Sequence, residues 1–331
     1  MRGGSNTLPV VIAINANGAV DRTLSLSDVP TQTSNPDVML WVDFAQPPQI
    51  DELDLLGKAL TLSPRVLSHL TKAHRGPRAI RFLRCRLVVI FDVQLNTASK
   101  SVQSFELVHL IGERFLITAH PQASNVIPLA SQQIEDSITT FGFTISTLTY
   151  SVIDALVDRY DAVIVQIQEQ VSQLRDRILD QHETEGVDDV YQLTKQLGDL
   201  RQVMAPEEAL ISSMHSPDSD VESDELTDAF RDVSVDLQSA IDTIDQSSTL
   251  VTNLLDTYES LKSDALNNLV KRLTVLSIML ALISLIPSVF GISLNVSPFR
   301  NGYQGYLISF FLMGLLGWLV WVVARRIGWI T

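Results

Sequence analysis

The sequence predicts an α+β cytosolic domain followed by long helices and a two-helix transmembrane hairpin. Three observations predict it. Short β-branched and aromatic runs occupy the N-terminal part, and apolar residues at helical spacing take over from about Ser146. Two uncharged stretches, Leu273–Ile292 and Tyr306–Ala324, stand near the C-terminus. About 20 apolar residues cover a hydrocarbon core of about 30 Å. The link between the two stretches, Ser293–Gly305, is short, so the pair forms a hairpin with both long ends on one side.

The elements follow in order. LPVVIAIN, VMLWVDF, CRLVVIFDVQ, SFELVHLIG and RFLITAH are strand-like runs bounded by Gly, Pro, Asn and Asp. Gly112-Glu113 reads as a turn between two antiparallel strands, and Gln49–Leu60 and Pro64–Ala73 read as helices. TLTYSVIDALVDRYDAVIVQIQEQVSQLRDRIL has apolar residues at three and four spacing. HETEGVDD breaks that helix at Gly186. VYQLTKQLGDLRQVMAPEEALISSM forms a second helix, bent or broken at Pro206, and SPDSDVESDE is a polar, acidic hinge. From Leu226 to Phe290 the pattern predicts one helix, about 100 Å long at 1.5 Å per residue. Helices of that length belong to coiled coils and membrane stalks. The expected domains are a cytosolic α/β domain at 1–145, a cytosolic helical hairpin at 146–225 and a stalk helix at 226–272. The first transmembrane helix follows at 273–292, an external loop at 293–305, the second transmembrane helix at 306–324 and a cytosolic tail at 325–331.

Charge orients the hairpin. Lys271 and Arg272 precede the first span and Arg325 and Arg326 follow the second, while the short loop holds only Arg300. Positively charged flanks stay in the cytoplasm. The expectation is a multi-pass protein of the cell inner (plasma) membrane with both termini cytoplasmic. The apolar run Leu8–Ile14 is too short for a signal peptide and resembles a strand. All 38 acidic residues precede Ala265, whereas five of the 24 Lys and Arg follow it. So acidic a domain repels nucleic acid and attracts cations. The lone Cys85 permits no internal disulfide, which fits a reducing compartment. The six histidines show no metal-ligand spacing, and no Gly-rich phosphate loop, Cys pair or Ser-His-Asp pattern is present. An enzyme is not expected, nor a cofactor other than a divalent cation.

The first span carries a polar seam. Asn267, Val270, Thr274, Ser277, Ala281, Ser284, Ser288 and Gly291 follow one another at alternating steps of three and four, and every hydroxyl between Leu273 and Ile292 is among them. Such steps keep residues on one helix face. Two readings stand. Small residues let membrane helices approach, with hydroxyls bonding across the contact, or several copies line a narrow wet pore. Pro287 suits both, since it frees the carbonyl of Ile283.

From Phe230 to Ser293 the sequence resembles the CorA family of divalent-cation channels and transporters, a superfamily that includes the ZntB-type zinc transporters. FRDVSVD resembles the start of the family's stalk helix, and LLDTYES and NNLVKRLT the approach to its pore helix. WVDFAQPP, FLITAHP, LRQVMAPEEAL and the terminal RRIGW extend the likeness over nearly the whole chain. The resemblance implies a funnel-shaped homopentamer, with copies of the chain, the bilayer and divalent cations as partners, and a pore lined by the first span. VFGIS sits where the family carries Tyr-Gly-Met-Asn, so Gly291, Ile292 and Ser293 take the place of the Gly-Met-Asn signature. A gapped alignment puts Ser293-Leu294-Asn295 there instead. The loop LNVSPFRNGYQG has no acid, another departure. Asp256 falls where the family has an aspartate ring at the inner pore mouth, and Asp232 where it has a regulatory metal ligand. The N-terminal partner of Asp232 is not assignable from the sequence. Lys271 and Arg272 resemble the family's basic collar. Val270 and Leu273 would form an apolar constriction that closes by dewetting. The implied function is movement of hydrated Mg²⁺, or of a transition metal such as Zn²⁺ or Co²⁺, through a homopentameric pore. The alternative is a non-conducting pentameric scaffold or regulator.

Overall fold

A computed structural model describes residues 8–96, 100–121, 123–181, 187–215, 224–290 and 302–326. Strand β1 (Val10–Asn15) pairs with β2 (Val20–Leu24) through a turn in which Gly18 takes a positive φ. A 3₁₀ turn (Leu26–Asp28) and the single helical turn α1 (Val29–Gln32) lead to β3 (Val38–Phe44). Helix α2 (Ile50–Ala59) opens on a capping box, the backbone N–H of Gln49 donating to Glu52 Oε2 at 2.7 Å. The segment predicted as a second helix is shorter than expected: α3 (Pro64–Leu67) gives way to a 3₁₀ turn at Ser68–Leu70.

Edge strand β4 (Arg78–Arg81), β5 (Cys85–Asn96), β6 (Ser101–Gly112) and β7 (Phe115–Ala119) complete a seven-stranded sheet ordered β2-β1-β3-β7-β6-β5-β4. All pairings are antiparallel except β3 with β7. β5 and β6 pair along their whole length, from Cys85 opposite Gly112 to Asn96 opposite Ser101. The Gly112-Glu113 turn joins antiparallel β6 and β7 as the sequence predicts. A Cβ at Gly112 would lie 2.1 Å from the Phe115 ring, so no larger residue fits without displacing that ring.

One sheet face packs Val11, Leu40, Val42, Leu87, Val89 and Ile117 against Leu56, Val66 and Leu67 of α2 and α3. The other side is covered by helices. α4 (Val126–Phe141) buries Val126, Ile127, Ala130, Ile134 and Ile138 and stops at Gly142, whose φ of 90° few other residues adopt. α5 (Ile145–Gln181) packs on α4, β5, β6 and β7, and α6 (Val187–Ser212) packs on α5, β4, β5 and β6. α6 is not broken at Pro206: the helix runs through it. The proline removes one N–H, but buried Met204, Glu207 and Ile211 hold both sides of it in the core.

α7 (Asp224–Phe290) is helical for 67 residues, as the uninterrupted pattern predicts, and α8 (Gly302–Arg326) spans the second apolar stretch. The expected break at Gly186 lies outside the described residues, and of SPDSDVESDE only the last two residues, Asp224 and Glu225, are described. Contacts divide the chain into two units, the first reaching Asn253 and the second beginning at Leu254.

Candidate ion pathway and acidic flank

In the second unit, α7 is long and apolar enough to cross a membrane, and 6% of its most hydropathic window is buried. Leu266, Leu269, Val270, Leu273, Leu276 and Leu280 all stand more than half exposed. An apolar surface this continuous requires lipid or other helices around it.

The seam forms a shallow depression of about 440 Å³ along α7, lined by Val270, Leu273, Thr274, Ser277, Ile278 and Ala281. All but Ile278 were singled out in the sequence. The hydroxyls there spend their protons within the helix. Thr274 Oγ1 donates to the Val270 carbonyl at 2.7 Å, Ser277 Oγ to that of Leu273 at 2.8 Å and Ser284 Oγ to that of Ala281 at 2.9 Å. This back-bonding is the usual behaviour of Ser and Thr inside a helix. A hydroxyl so engaged presents only its lone pairs outward. Asn267 is exposed on the same helix. Ser288 lies within α7, while Gly291, Ile292, Ser293 and Asn295 lie outside the described residues. Asp256 is exposed on α7, as are Lys271 and Arg272.

In the first unit, exposed Asp232 sits on α7 near a run of carboxylates on α5 that the sequence did not connect to it. Tyr150 Oη donates to Asp154 Oδ1 at 3.2 Å, and the Tyr150 phenol is pushed up by burial, by Asp154 and also by Asp232. Burial and then the charge of Asp158, with a weaker push from Asp236, raise the Asp154 carboxyl against its Tyr150 hydrogen bond. Burial, Asp236 and Asp158 raise Asp161. Repulsion of this kind marks a flank where carboxylates crowd without cations. The spacing of Asp154, Asp158 and Asp161 places all three on one face of α5, a pattern visible in the sequence; their proximity to α7 is tertiary.

Among the described residues, no group of three or more His, Cys, Asp or Glu comes together as a metal ligand set. Asp232 and Asp256 therefore need further ligands from outside their own surroundings to hold an ion. His69 and His74, which carry no spacing signal, do meet: their facing ring nitrogens are 3.1 Å apart, and His74 Nδ1 bonds Glu106. These groups satisfy one another.

An α+β domain and a long helix whose apolar continuation is exposed and bears hydroxyls on one face fit a membrane protein with a large polar domain. The chain belongs to the CorA-like Mg²⁺ transporter protein family, which it matches over residues 36–326. It is 22% identical over 312 residues, 94% of this chain and 87% of the other, to the cobalt/magnesium transport protein CorA of Thermotoga maritima. Its fold resembles the complete CorA magnesium transporter from Methanocaldococcus jannaschii with a TM-score of 0.78 at 19% identity, covering 97% of this chain and 99% of that one. It also resembles the cytoplasmic domain of ZntB from Vibrio parahaemolyticus, with a TM-score of 0.61 at 12% identity over 78% of this chain and 99% of that one.

Proposed function

We propose that this chain forms a homopentameric pore in the inner membrane through which a divalent cation moves passively, with both termini in the cytoplasm. The observation that carries the reading is the back-bonded seam of α7. Thr274, Ser277 and Ser284 have given their protons to their own helix. Water donates readily to such lone pairs, and the waters around a dication do so strongly. Mg²⁺ dehydrates reluctantly and keeps several waters, so a wall of acceptors suits it in hydrated form. Val270 and Leu273, 63% and 67% exposed, supply an apolar ring where the path closes by dewetting.

The acidic flank of α5 and α7 acts as the gate's sensor. Among the described residues Asp232 has no complete ligand set, and in this reading a regulatory ion there draws ligands from a neighbouring copy. It neutralises the crowded carboxylates and holds the subunits closed. When cytosolic metal falls, repulsion among Asp154, Asp158, Asp161, Asp232 and Asp236 opens the assembly.

The Gly291-Ile292-Ser293 sequence and the acid-free loop after it favour weak discrimination for hydrated Mg²⁺. They also favour a second reading, a pentameric scaffold that no longer conducts. Flux through purified protein in liposomes separates the two. We expect Zn²⁺ or Co²⁺ to pass at least as readily as Mg²⁺; absence of flux for every divalent ion, with the pentamer intact by native mass spectrometry, would establish the scaffold.

At the inner mouth, Asp256→Asn removes one charge per subunit. Divalent flux is expected to fall, and to fall further in low salt, where screening is weakest. Equal flux by both proteins at every ionic strength would return Asp256 to an ordinary surface role.

A further inference from the structure

Transport as proposed makes no use of three titratable groups that link the 3₁₀ turn at Ser68–Leu70 to β6. His69 Nδ1 and His74 Nε2 face each other at 3.1 Å. His74 Nδ1 bonds Glu106 Oε1, and the His74 backbone N–H donates to Glu106 Oε2 at 3.0 Å. The Glu106 carboxylate therefore accepts twice from one residue, which orients the His74 ring and places a proton on its Nδ1. The His74 side chain is 5% exposed and that of Glu106 20%, so this bond is largely shielded from water. His69, on the turn, is half-buried and within reach of solvent protons.

Proton counting limits the arrangement. A gap of 3.1 Å between two ring nitrogens is bridged by one hydrogen, with one nitrogen donating and the other accepting. Closed in this way, the four nitrogens of the two rings carry two or three protons and not four. With two, both imidazoles are neutral and His69 Nδ1–H donates to His74 Nε2. With three, one ring is charged and the bridge survives. With four, both rings are imidazolium and two N–H groups point into the same gap. Separated rings have no such limit. The surroundings press the same way: burial, then the charges of His74, Lys72, Arg65 and Arg78, hold the His69 imidazole below its ordinary value.

Breaking the bridge would free a definite segment. Thr71, Lys72, Ala73 and Arg75, between the turn and β4, are exposed, and His74 ties this loop to β6. Its two ends are held independently, by Leu70 in the core and by the pairing of Arg78 with Val89.

We infer that His69, His74 and Glu106 form a proton-operated clasp, closed while the two rings share one hydrogen and opened by acid, when both rings are charged and the loop from Thr71 to Pro77 leaves β6. The open loop binds more protons than the closed one once pH falls below the ordinary histidine value of about 6.5. Closure is complete above that value and is lost as pH falls through the depressed value of closed His69, by up to about tenfold per pH unit for each extra proton. The clasp belongs to the α+β domain and is read without ion flux, so it stands or falls separately from the pore.

Hydrogen exchange of the full-length protein in detergent, corrected for the intrinsic rate at each pH, tests it. Between pH 7.5 and pH 5, protection of the His74 amide, isolated by overlapping peptides, is expected to fall at least tenfold, while that of β5 and β6 stays within about twofold. His69→Gln supplies an amide that can donate to His74 or accept from it and does not titrate, so the loop should stay closed at both pH values. Glu106→Gln removes the anion that holds His74, and the midpoint of opening should move to higher pH. Protection of the wild-type loop that does not change with pH overturns the inference. So does an acid loss of protection spread over the whole sheet, because the device would then not be local. A midpoint unchanged in both variants overturns the assignment to these residues.

Discussion

The wild-type protein is expected to lose thermal stability between pH 5 and pH 9, and Glu207→Gln to remove most of that fall. Glu207 is fully buried on α6. Its Oε1 accepts the Phe91 backbone N–H at 2.5 Å, and its Oε2 lies against the hydroxyl of buried Tyr160 on α5. That hydroxyl also reaches the Phe91 carbonyl at 2.5 Å. A phenol has one proton. If Tyr160 gives it to the Phe91 carbonyl, the bond between Tyr160 and Glu207 needs a proton from the carboxyl. With Glu207 neutral the ring closes: Phe91 N–H to Glu207, Glu207 O–H to Tyr160, Tyr160 O–H to the Phe91 carbonyl. Burial pushes the carboxyl up to about 8, the Tyr160 and Phe91 hydrogen bonds oppose that, and the neighbouring Asp92 adds to it.

The sign follows from proton counts. Between about 4.5 and 8 the folded chain keeps a proton that the unfolded chain has released. Unfolding then releases a proton, so stability is greatest below the unfolded value and is lost as pH rises through the folded one. The full span corresponds to about 5 kcal/mol at 1.36 kcal/mol per pH unit. Glutamine reproduces the neutral pattern at every pH, since its oxygen accepts from Phe91 and its amide donates to Tyr160. Unfolding temperatures of the two proteins should coincide near pH 5 and diverge at alkaline pH, with the variant higher. Parallel curves would show that Glu207 is ionised in the fold and that the ring is closed some other way.

None of this ring is legible in the sequence. Phe91, Tyr160 and Glu207 lie on β5, α5 and α6, and each reads by itself as an ordinary strand or helix residue. The central strands were legible because both their faces are buried: VMLWVDF is buried at every position of β3. The edge strands β2 (VDRTL) and β4 (RAIR) were not, because half-exposed edges need little apolar content and carry charge instead. α4 was missed although Val126, Ala130, Ile134 and Ile138 recur at helical spacing, because Pro128 and the polar run around Gln132 mask the period. The seam was legible because a helix face is a local property. The direction of its hydroxyl protons was not, and neither was the approach of α5's carboxylates to Asp232.

The seam itself sets the second large effect. Ser277→Leu adds an isobutyl group at the centre of the depression formed by Val270, Leu273, Thr274, Ser277, Ile278 and Ala281, and removes a hydroxyl oxygen from the same place. In a symmetric pore the change is repeated by every subunit, so a wet path becomes an apolar plug. Divalent flux is expected to fall at least tenfold, a barrier increase of about 1.4 kcal/mol or more. Leu276→Ala, one residue away but off the seam, should leave flux within about twofold. Chemical access tests the same face without relying on flux. In a Cys85→Ala background, Ser277→Cys and Ser284→Cys should react with water-soluble thiol reagents, and Leu280→Cys and Leu282→Cys should react more slowly in the bilayer. Ser277 Oγ already bonds the Leu273 carbonyl of its own helix, so cysteine there breaks no contact between helices. A pore predicts fast labelling on the seam, blocked by the same Ser277→Leu change when it is combined with Ser284→Cys. Equal protection at all four sites would mean that the seam is sealed against another helix, and the hydroxyls of Thr274 and Ser277 would then accept from that helix rather than from water.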